Sequence, residues 1–558
     1  MKNSLGFNIA DERLSYDGRQ VLLKFNKDRI IEFNHRHKSV LANYDLALKA
    51  CDIITLSEEI NYKSNLGALR NRKLRQSVIL SAALSAVAVG LHGRGSLCGV
   101  PKEMITKELT NNLKRANDRT AAQIMSEVLQ TTTETLPVGE EVLIESTITE
   151  GARAKPGKEP GGNPTIAVGA VFGKKSHRTQ YGLTMPRNVT LLSMGSDVVE
   201  GTTKSVKGLH SSMTALFVTE SGVKRHLPDI YVQRWGSGKY FKEFNPRELD
   251  TSEITDIISQ SYGFSDKSKL SAFFLDRDRH LPMISQLHRE GIATPMDKDG
   301  DLLPAVFLGL DGLHFPDGHG LHSMIGEIGG SAEWAIGVLP LVWRGGQMIG
   351  MLTSQTALTN SKFTPDERWK ERFHFTEEEF LTIQDARFER KPYFTVSDIV
   401  EDPFAGGISA FGAITDNYYI PMVTGVEANP DKKTINVNVI TVNSLGIVDC
   451  WVMQFKTNHS IDHTRDLMCS PKEKLDELTG KELENAIGIM LNDERMRERF
   501  RIFFNNEYYP ALIPARDKML LLKNTIRSLI ERSALQEKNA EIVDATQRLA
   551  PEWFINSD

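Results

Sequence analysis

Two carboxylates, Asp197 and Glu200, stand three residues apart in this chain, and Gly201 and two threonines follow them directly. The apolar run at 189–195 before them predicts a strand that enters a tight turn. Carboxylate oxygens are the ligands that Mg²⁺ and Mn²⁺ prefer, and the N–H groups of a Gly-Thr-Thr turn can meet a phosphate. The run is typical of metal-assisted phosphate chemistry, although the same residue types also form ordinary surface turns.

Other carboxylates stand at predicted strand ends and helix starts along the chain. These are Asp118, Glu145, Asp299, Asp301 and Glu333. A carboxylate in the first turn of a helix often does no more than interact favourably with the helix dipole. Each residue has that explanation when taken singly, but their joint presence with Asp197 and Glu200 favours a site for divalent cations.

Three further residues have both a structural and a functional explanation. Arg277 and Arg279 follow the strand predicted at 271–275. Such arginines form either surface ion pairs or a bidentate clamp for a phosphate. Tyr231 fits a half-buried core position as well as a position in a binding site.

A competing metal centre is indicated by four clustered residues, because histidines bind zinc or iron. They are His314, Asp317, His319 and His322. Their spacings match no standard metal motif, and the sequence between them is typical of a loop. The glycine-rich runs at 157–162 and 326–330 lack the Gly-Lys-Ser/Thr of a P-loop, and the chain has no serine nucleophile elbow. The sequence therefore disfavours a nucleotide kinase and a serine hydrolase.

The composition excludes several kinds of partner. The 558 residues carry a net charge of −5, which argues against broad nucleic-acid binding. The four cysteines are far apart, so they indicate reduced thiols rather than a zinc ribbon or a disulfide framework. The apolar run at 78–91 is shorter than the ~20 residues that cross a bilayer and predicts a buried helix. Because the polar N-terminus shows no secretory signal, we expect a cytoplasmic protein without a membrane partner.

The order of predicted elements indicates an α/β or α+β layered core. Strands are predicted at 21–25, 30–33, 141–145, 189–195, 213–219, 271–275, 305–309 and 434–442. Helices are predicted at 38–60, 72–94, 118–130, 281–290, 334–338, 365–380 and 515–540, with a flexible loop at 155–164. The last helix is amphipathic and suits either packing on the core or a contact within a homo-oligomer.

The motifs occur in the order found in the class II fructose-1,6-bisphosphatases, some of which also act on sedoheptulose 1,7-bisphosphate. The chain resembles this family over about 75–455. Asp-Val-Val-Glu-Gly-Thr at 197–202 is similar to the family signature Asp-Pro-Ile/Val-Glu-Gly-Thr, and Asp-Gly-Asp at 299–301 matches directly. Further similar segments are 81–84, 93–95, 118–122, 227–231, 277–280, 328–333 and 415–417, with Glu145 at a family strand end.

The resemblance implies the αβαβα sandwich of the metal-dependent sugar phosphatases, an α/β (α+β layered) fold. It implies that two or three Mg²⁺ or Mn²⁺ ions are held by Asp118, Glu145, Asp197, Glu200 and Glu333. It implies a catalytic role for Thr202, Glu145 and Asp197, with Thr202 positioning the attacking water. It implies contacts with the small-molecule sugar phosphate for Glu200, Gly201, Thr202, Tyr231, Arg277, Arg279, Asp299, Asp301 and Gly330, the two arginines gripping the remote phosphate.

The chain is expected to divide into four segments. They are an N-terminal extension (1–70), a metal- and phosphate-binding half (71–265), a sugar-phosphate-binding half (266–460) and a helical C-terminal extension (461–558).

The chain also departs from the family pattern. Val198 replaces the usual proline, Arg277 stands where lysine is usual, and Glu145 alone remains of a Gly-Glu-Gly-Glu run. Because the charged residues at the reacting centre are retained, the resemblance implies metal-dependent hydrolysis of a sugar bisphosphate, with fructose 1,6-bisphosphate as the first candidate. Two alternatives stay open. One is the same chemistry on a different phosphorylated metabolite, and the other is a catalytically retired regulator that binds a sugar phosphate.

Overall fold

The computed structural model of the chain describes residues 7–8, 20–25, 51–54, 71–98, 100, 102–134, 136–151, 164–174, 189–224, 226–308, 320–360, 362–388, 393–417, 419, 423–429, 434–456, 480–492 and 536–551. The strand predicted at 30–33, nearly all of the loop predicted at 155–164 and most of the helix predicted at 515–540 lie outside these residues.

The described strands are sixteen in number. They are β1 (Phe7–Asn8), β2 (Gln20–Phe25), β3 (Cys51–Ile54), β4 (Val142–Thr149), β5 (Val171–Phe172), β6 (Thr190–Glu200), β7 (Met213–Thr219), β8 (Tyr231–Ser237), β9 (Phe274–Leu275), β10 (Met296–Asp297), β11 (Ser323–Gly330), β12 (Gln347–Thr353), β13 (Gly407–Ala413), β14 (Glu427–Asn429), β15 (Thr434–Asn443) and β16 (Val448–Lys456).

The described α-helices connect and cover these strands. They are α1 (Arg72–His92), α2 (Lys107–Glu134), α3 (Thr202–Lys207), α4 (Thr251–Ser261), α5 (Leu281–Arg289), α6 (Leu302–Phe307), α7 (Ser331–Trp343), α8 (Gln355–Thr359), α9 (Pro365–Glu371), α10 (Glu377–Asp385), α11 (Val396–Ile399), α12 (Gly480–Asn492) and α13 (Gln536–Leu549). Short 3-10 turns lie at Lys102–Met104, Lys267–Lys269 and Asp278–His280.

The larger sheet has eight strands in the order β14-β15-β13-β7-β6-β4-β5, with β16 paired to β15. β4 and β6 run parallel, and β6 and β7 run antiparallel. Because parallel strands end at the same edge of a sheet, the carboxyl ends of β4 and β6 lie side by side. A smaller sheet of three antiparallel strands has the order β11-β8-β12.

The two sheets are stacked between three layers of helix. Side chains of β7 alternate between two cores, since Leu216 packs with α1 and α2 whereas Phe217 packs with α6 and α7. The smaller sheet is also buried on both faces, with Val232 in the core of α6 and α7 and Trp235 in the core of α4 and α5. The resulting order of helix, sheet, helix, sheet and helix is the αβαβα arrangement, so the predicted fold class is confirmed.

Some of the sequence-based element predictions are wrong in part. The helix predicted at 365–380 is two helices, α9 and α10, with a break at 372–376. Residues 305–307 of the strand predicted at 305–309 are instead the end of α6, whose six residues are all buried. A short apolar run that is buried on every side has no periodicity to separate helix from strand. Residues Cys51–Ile54, inside the helix predicted at 38–60, form β3 and pair with β2.

The apolar helix α1 is longer than its apolar run suggested. The stretch Lys73–Leu91 is long and apolar enough to cross a membrane by length and composition alone, contrary to the expectation. Most of its side chains, however, are buried against the larger sheet and α2. Each buried valine or leucine of this kind stabilises the fold by roughly 1.5–3 kcal/mol relative to exposure, so we interpret α1 as a core helix.

The boundary predicted at 265/266 stays a prediction, and strands from both sides of it share each sheet. In the larger sheet β13 pairs with β7, and in the smaller sheet β11 pairs with β8. The folding of one half therefore depends on hydrogen bonds to the other.

Candidate active site

The carboxyl end of β6 carries Asp197 and Glu200, and both side chains are buried. The pairing of β6 with β7 shifts register between these two residues. The chain then turns at Gly201, whose φ of 69° lies in the left-handed region that glycine adopts without strain. This turn starts α3 next to the two carboxylates.

Helix α2 brings a third carboxylate, Asp118, to the start of α3. The hydroxyl of Thr202 donates to the carbonyl of Val199 at 3.0 Å and lies 3.5 Å from Asp118 Oδ1. One turn earlier on α2, Lys114 Nζ donates to Thr203 Oγ1 at 3.0 Å. Lys114 was not among the site residues predicted from the sequence, although its position four residues before Asp118 places both on one helix face.

Glu145 lies away from this cluster, and Glu150 lies beside it. In the parallel ladder Glu145 pairs with Ser193, four residues before Asp197, so the offset is roughly 13 Å along the strand. After a register shift between Ser146 and Ile148, β4 continues to pair with β6 as far as Thr149 and Ser196. The N–H of Glu150 then donates to Ser196 O at 3.0 Å.

The structure therefore does not bring Glu145 to the other predicted ligands. Glu150 stands in the expected place, and its charge acts on Asp118, Asp197 and Glu333. The strand β4 ends at Thr149 and not at Glu145. The sequence signal that could have identified Glu150 is its position directly after this strand and before Gly151.

The Asp-Gly-Asp turn before α6 contacts both ends of the β6–α3 junction. Asp299 Oδ2 accepts a hydrogen bond from the N–H of Thr203 at 3.0 Å. The N–H of Leu302 donates to Glu200 Oε1 at 2.8 Å. Asp301 is buried and accepts a hydrogen bond from Arg234 Nη2 at 2.5 Å. Asp299 thus lies at the N–H group predicted to meet a phosphate.

The start of α7 supplies the last predicted ligand. Gly330 ends β11 and precedes the helix, and Glu333 lies in the first helical turn. Glu333 is half-buried as a residue, and its carboxylate is near those of Asp301 and Glu150, because both charges act on it.

The predicted phosphate clamp lies next to the smaller sheet. Arg279 Nε donates to the carbonyl of Ile328 at 2.9 Å, and its guanidinium lies 4.9 Å from the ring centroid of Tyr231. Such stacking on an aromatic face fixes the orientation of an arginine. Arg277 is half-buried two residues earlier and donates to Asp276 O at 2.9 Å.

The charges of the cluster perturb one another. Burial raises the pKa of Asp118, and the charge of Glu150 raises that pKa further. Burial and the neighbouring Glu200 raise the pKa of Asp197, while burial and Asp301 raise the pKa of Glu200 to about 8. The pKa of Glu333 is raised by burial and by Asp301. Perturbed carboxylates of this kind gather at functional sites.

The donor set fits a hard divalent cation, because it consists of carboxylate oxygens that repel one another without a counter-charge. Among the described residues, however, no three His, Cys, Asp or Glu side chains converge as a ready-made ligand cage. Mg²⁺ is commonly held by one or two carboxylates, with waters and substrate phosphate completing its octahedron. Asp118, Glu150, Asp197, Glu200 and Glu333 suit such an open site.

The competing histidine centre is not tested, because His314, Asp317 and His319 lie outside the described residues. The fourth member, His322, packs against the rings of Tyr262 and Phe264.

Comparison with known proteins bears on this site. Residues 182–444 match the family model of bacterial fructose-1,6-bisphosphatase, glpX-encoded. The match contains Asp197, Glu200 and Glu333, whereas Asp118 and Glu150 precede it.

Curated relatives carry one shared name, D-fructose 1,6-bisphosphatase class 2/sedoheptulose 1,7-bisphosphatase. The protein from Synechococcus sp. (strain JA-2-3B'a(2-13)) is 25% identical over 238 residues, which are 43% of this chain and 63% of the relative. That from Prochlorococcus marinus (strain MIT 9303) is 26% identical over 249 residues, 44% of this chain and 69% of the relative. The match to the Synechococcus relative thus spans less than two thirds of its length.

The layered αβαβα fold contains a segment, residues 182–444, that is similar to the bacterial fructose-1,6-bisphosphatase family. In particular, the chain is similar at low identity to the class II fructose-1,6-bisphosphatases, the family that its motifs resemble.

Proposed function

We propose that this chain is a divalent-metal-dependent phosphatase of a sugar bisphosphate, with fructose 1,6-bisphosphate as the first candidate substrate. The observation that carries the proposal is the gathering of five carboxylates, from four parts of the chain, around one junction of β6 and α3. A buried acidic cluster costs stability unless cations compensate it. The family names of the relatives indicate which anionic substrate such cations would help to bind.

The proposed reaction is hydrolysis of a phosphate monoester. The oxygen of water bonds to phosphorus, the bond from phosphorus to the sugar oxygen breaks, and the sugar oxygen takes up a proton. Bound Mg²⁺ or Mn²⁺ would neutralise charge on the phosphoryl oxygens and acidify water. Thr202, beside Asp118, would orient the attacking water. Asp197 or Glu150 would accept the proton that this water loses, with Glu150 taking the role predicted for Glu145.

The remaining predicted residues would hold the substrate. Arg279, already oriented by Tyr231, would grip the phosphate that is not transferred, together with Arg277. Asp301 and Gly330 would contact the sugar. Binding energy from the remote phosphate would orient the reacting one. A phosphate oxygen at the start of α3 would replace Asp299 Oδ2 as the acceptor of the Thr203 N–H, and Asp299 would then contact the substrate.

The test is phosphate release by the purified full chain with Mg²⁺ or Mn²⁺. We expect turnover of fructose 1,6-bisphosphate or sedoheptulose 1,7-bisphosphate and loss of about 100-fold or more in Asp197→Asn, because several kcal/mol of charge stabilisation would be removed. Asp385→Asn is the matched control, since Asp385 is exposed at the end of α10. Absence of turnover for a panel of sugar and inositol phosphates with every divalent ion would reject the proposal.

We further propose a cytoplasmic enzyme with no nucleic-acid or membrane partner, in keeping with its net charge of −5. A homo-oligomer is proposed from the amphipathic pattern at 515–540, and light scattering of the purified chain would measure its mass.

A further inference from the structure

A fully buried arginine, Arg234, lies in β8 behind the acidic cluster. Its Nη2 is 2.5 Å from Asp301 Oδ2, and its Nε is 2.9 Å from Glu327 Oε2. Nη2 is also 3.5 Å from the carbonyl oxygen of Gly330. No local sequence pattern points to Arg234, because its partners come from distant parts of the chain.

A buried charge is stable only when it is paired, since removal from water costs several kcal/mol per ion. Asp301, Glu327 and Glu333 all favour the charged form of Arg234, in that order of effect. Burial raises the pKa of Glu327 and of Glu333, and the charge of Arg234 offsets part of that rise. The permanent charge of Arg234 therefore lies close both to Glu333, a proposed ligand of the metal ions, and to Asp301, a proposed contact of the sugar.

The pairing uses the fork shape of the guanidinium. Nε lies within ion-pair distance of Glu327 on β11 without making a hydrogen bond to it, and Nη2 donates a hydrogen bond to Asp301 at the start of α6. The ammonium group of a lysine is a single compact charge, so it cannot contact two separated carboxylates in this way. The guanidinium also occupies the space beside Gly329, where a Cβ atom would lie 1.7 Å from Nη2.

The same part of β11 positions the predicted phosphate clamp. The N–H of Ile328 donates to His280 Nε2 at 2.9 Å, and the carbonyl of Ile328 accepts from Arg279 Nε. Burial lowers the pKa of His280 to about 3, so the ring is neutral, and its Nδ1 donates to Leu275 O. Glu327, which pairs with Arg234, directly precedes Ile328, whose N–H and carbonyl make these two hydrogen bonds.

We propose that Arg234 is a positioning residue: its two-sided fork fixes the Asp301 carboxylate and the β11–α7 turn in the geometry that binds the sugar phosphate. This inference rests on the proposed function. Because Arg234 acts through Asp301, it is expected to affect substrate affinity far more than the affinity for cations.

The experiment compares Arg234→Lys, Asp301→Asn and the double variant in the full chain. For Arg234→Lys we expect KM for fructose 1,6-bisphosphate to rise at least about 10-fold, with kcat changed less than about threefold, as for a lost binding contact. Calorimetric titration with Mn²⁺ alone should give a Kd within about threefold of the wild type. The double variant should be no worse than Asp301→Asn, because residues acting as one unit are non-additive.

Arg94→Lys is the matched control, because Arg94 is also buried but donates to the main-chain carbonyl of Val426. It should lower the melting temperature without raising KM. If Arg234→Lys does not fold, Glu327→Gln removes the partner of Nε and should produce the same rise in KM.

An unchanged KM in a folded Arg234 variant, or additive losses in the double variant, would overturn the inference while the proposed function stands. An inactive wild type would instead reject the proposed function, and the inference with it.

Discussion

Glu150 and Glu145 are a natural pair for a test at the scale of single residues. Both belong to the region of β4, but their environments differ. Glu150 follows the last rung of the parallel ladder and acts on Asp118 and Asp197, whereas Glu145 is paired opposite Ser193. A carboxylate oxygen coordinates a divalent ion only at about 2.0–2.6 Å. The offset of several residues between Glu145 and Glu150 therefore decides which of the two can be a ligand.

We expect Glu150→Gln to lower phosphate release by about 30-fold or more, because it removes a charge from the proposed cation site. Glu145→Gln should stay within about threefold of the wild type. Both substitutions keep the size of the side chain, so the melting temperature separates folding from chemistry. The opposite ranking of the two variants would return Glu145 to the site and contradict the register-based assignment.

The junction of β11 and α7 shows how an element positions the site. Gly329 allows the guanidinium of Arg234 and the carboxylate of Asp301 to approach the main chain, since an added Cβ would lie 1.7 Å and 2.0 Å from their atoms. Both of those atoms belong to a buried ion pair and cannot move without breaking it.

Gly329→Ala is therefore expected to lower the free energy of unfolding by about 1–3 kcal/mol, as for an overpacked core, and to reduce activity. Gly488→Ala is the control, since nothing lies within 4 Å of its added methyl group in α12. That change should be neutral or stabilising by up to about 1 kcal/mol. Equal effects of both substitutions in thermal and denaturant unfolding would show that the ion pair does not restrict the turn.

At the scale of the whole molecule, the acidic cluster makes stability depend on pH. The pKa of Glu200 is raised to about 8 and that of Glu327 to about 7, chiefly by burial, against about 4.3 in an unfolded chain. The native state then holds protons that the unfolded state has lost. The contribution to stability is complete below about pH 4.3 and is lost as the pH rises towards these native values.

The metal-free protein is thus expected to lose stability from about pH 5 to pH 8, by roughly 1.4 kcal/mol per pH unit for each such group. Calorimetry in a chelator, in one buffer series, measures this slope. Glu200→Gln should flatten the slope, whereas Asp385→Asn should leave it unchanged. Added Mn²⁺ should stabilise most at the high end, because ligands bind cations when deprotonated. Stability that is constant or rises across this range in chelator would contradict the expectation.

The sequence by itself determined the order of the chemical motifs and the layered fold class. The types and spacing of neighbouring residues predict the run from Asp197 to Gly201, the turn at 299–301 and the strand at 434–442. Short-range spacing is enough for such features, because a turn or an alternating strand depends on adjacent positions. The same local signals predicted α1 and α5.

Only the tertiary structure decided which side chains meet. Glu150 lies beside Asp197 because β4 bulges and continues along β6, and the length of a paired strand depends on its neighbour. Residues Leu302–Phe307 are helical because they pack between two sheets, where apolar periodicity is lost. Arg234 finds Asp301 across 67 positions of sequence. Such contacts depend on distant pairing and burial, which no local pattern of residues encodes.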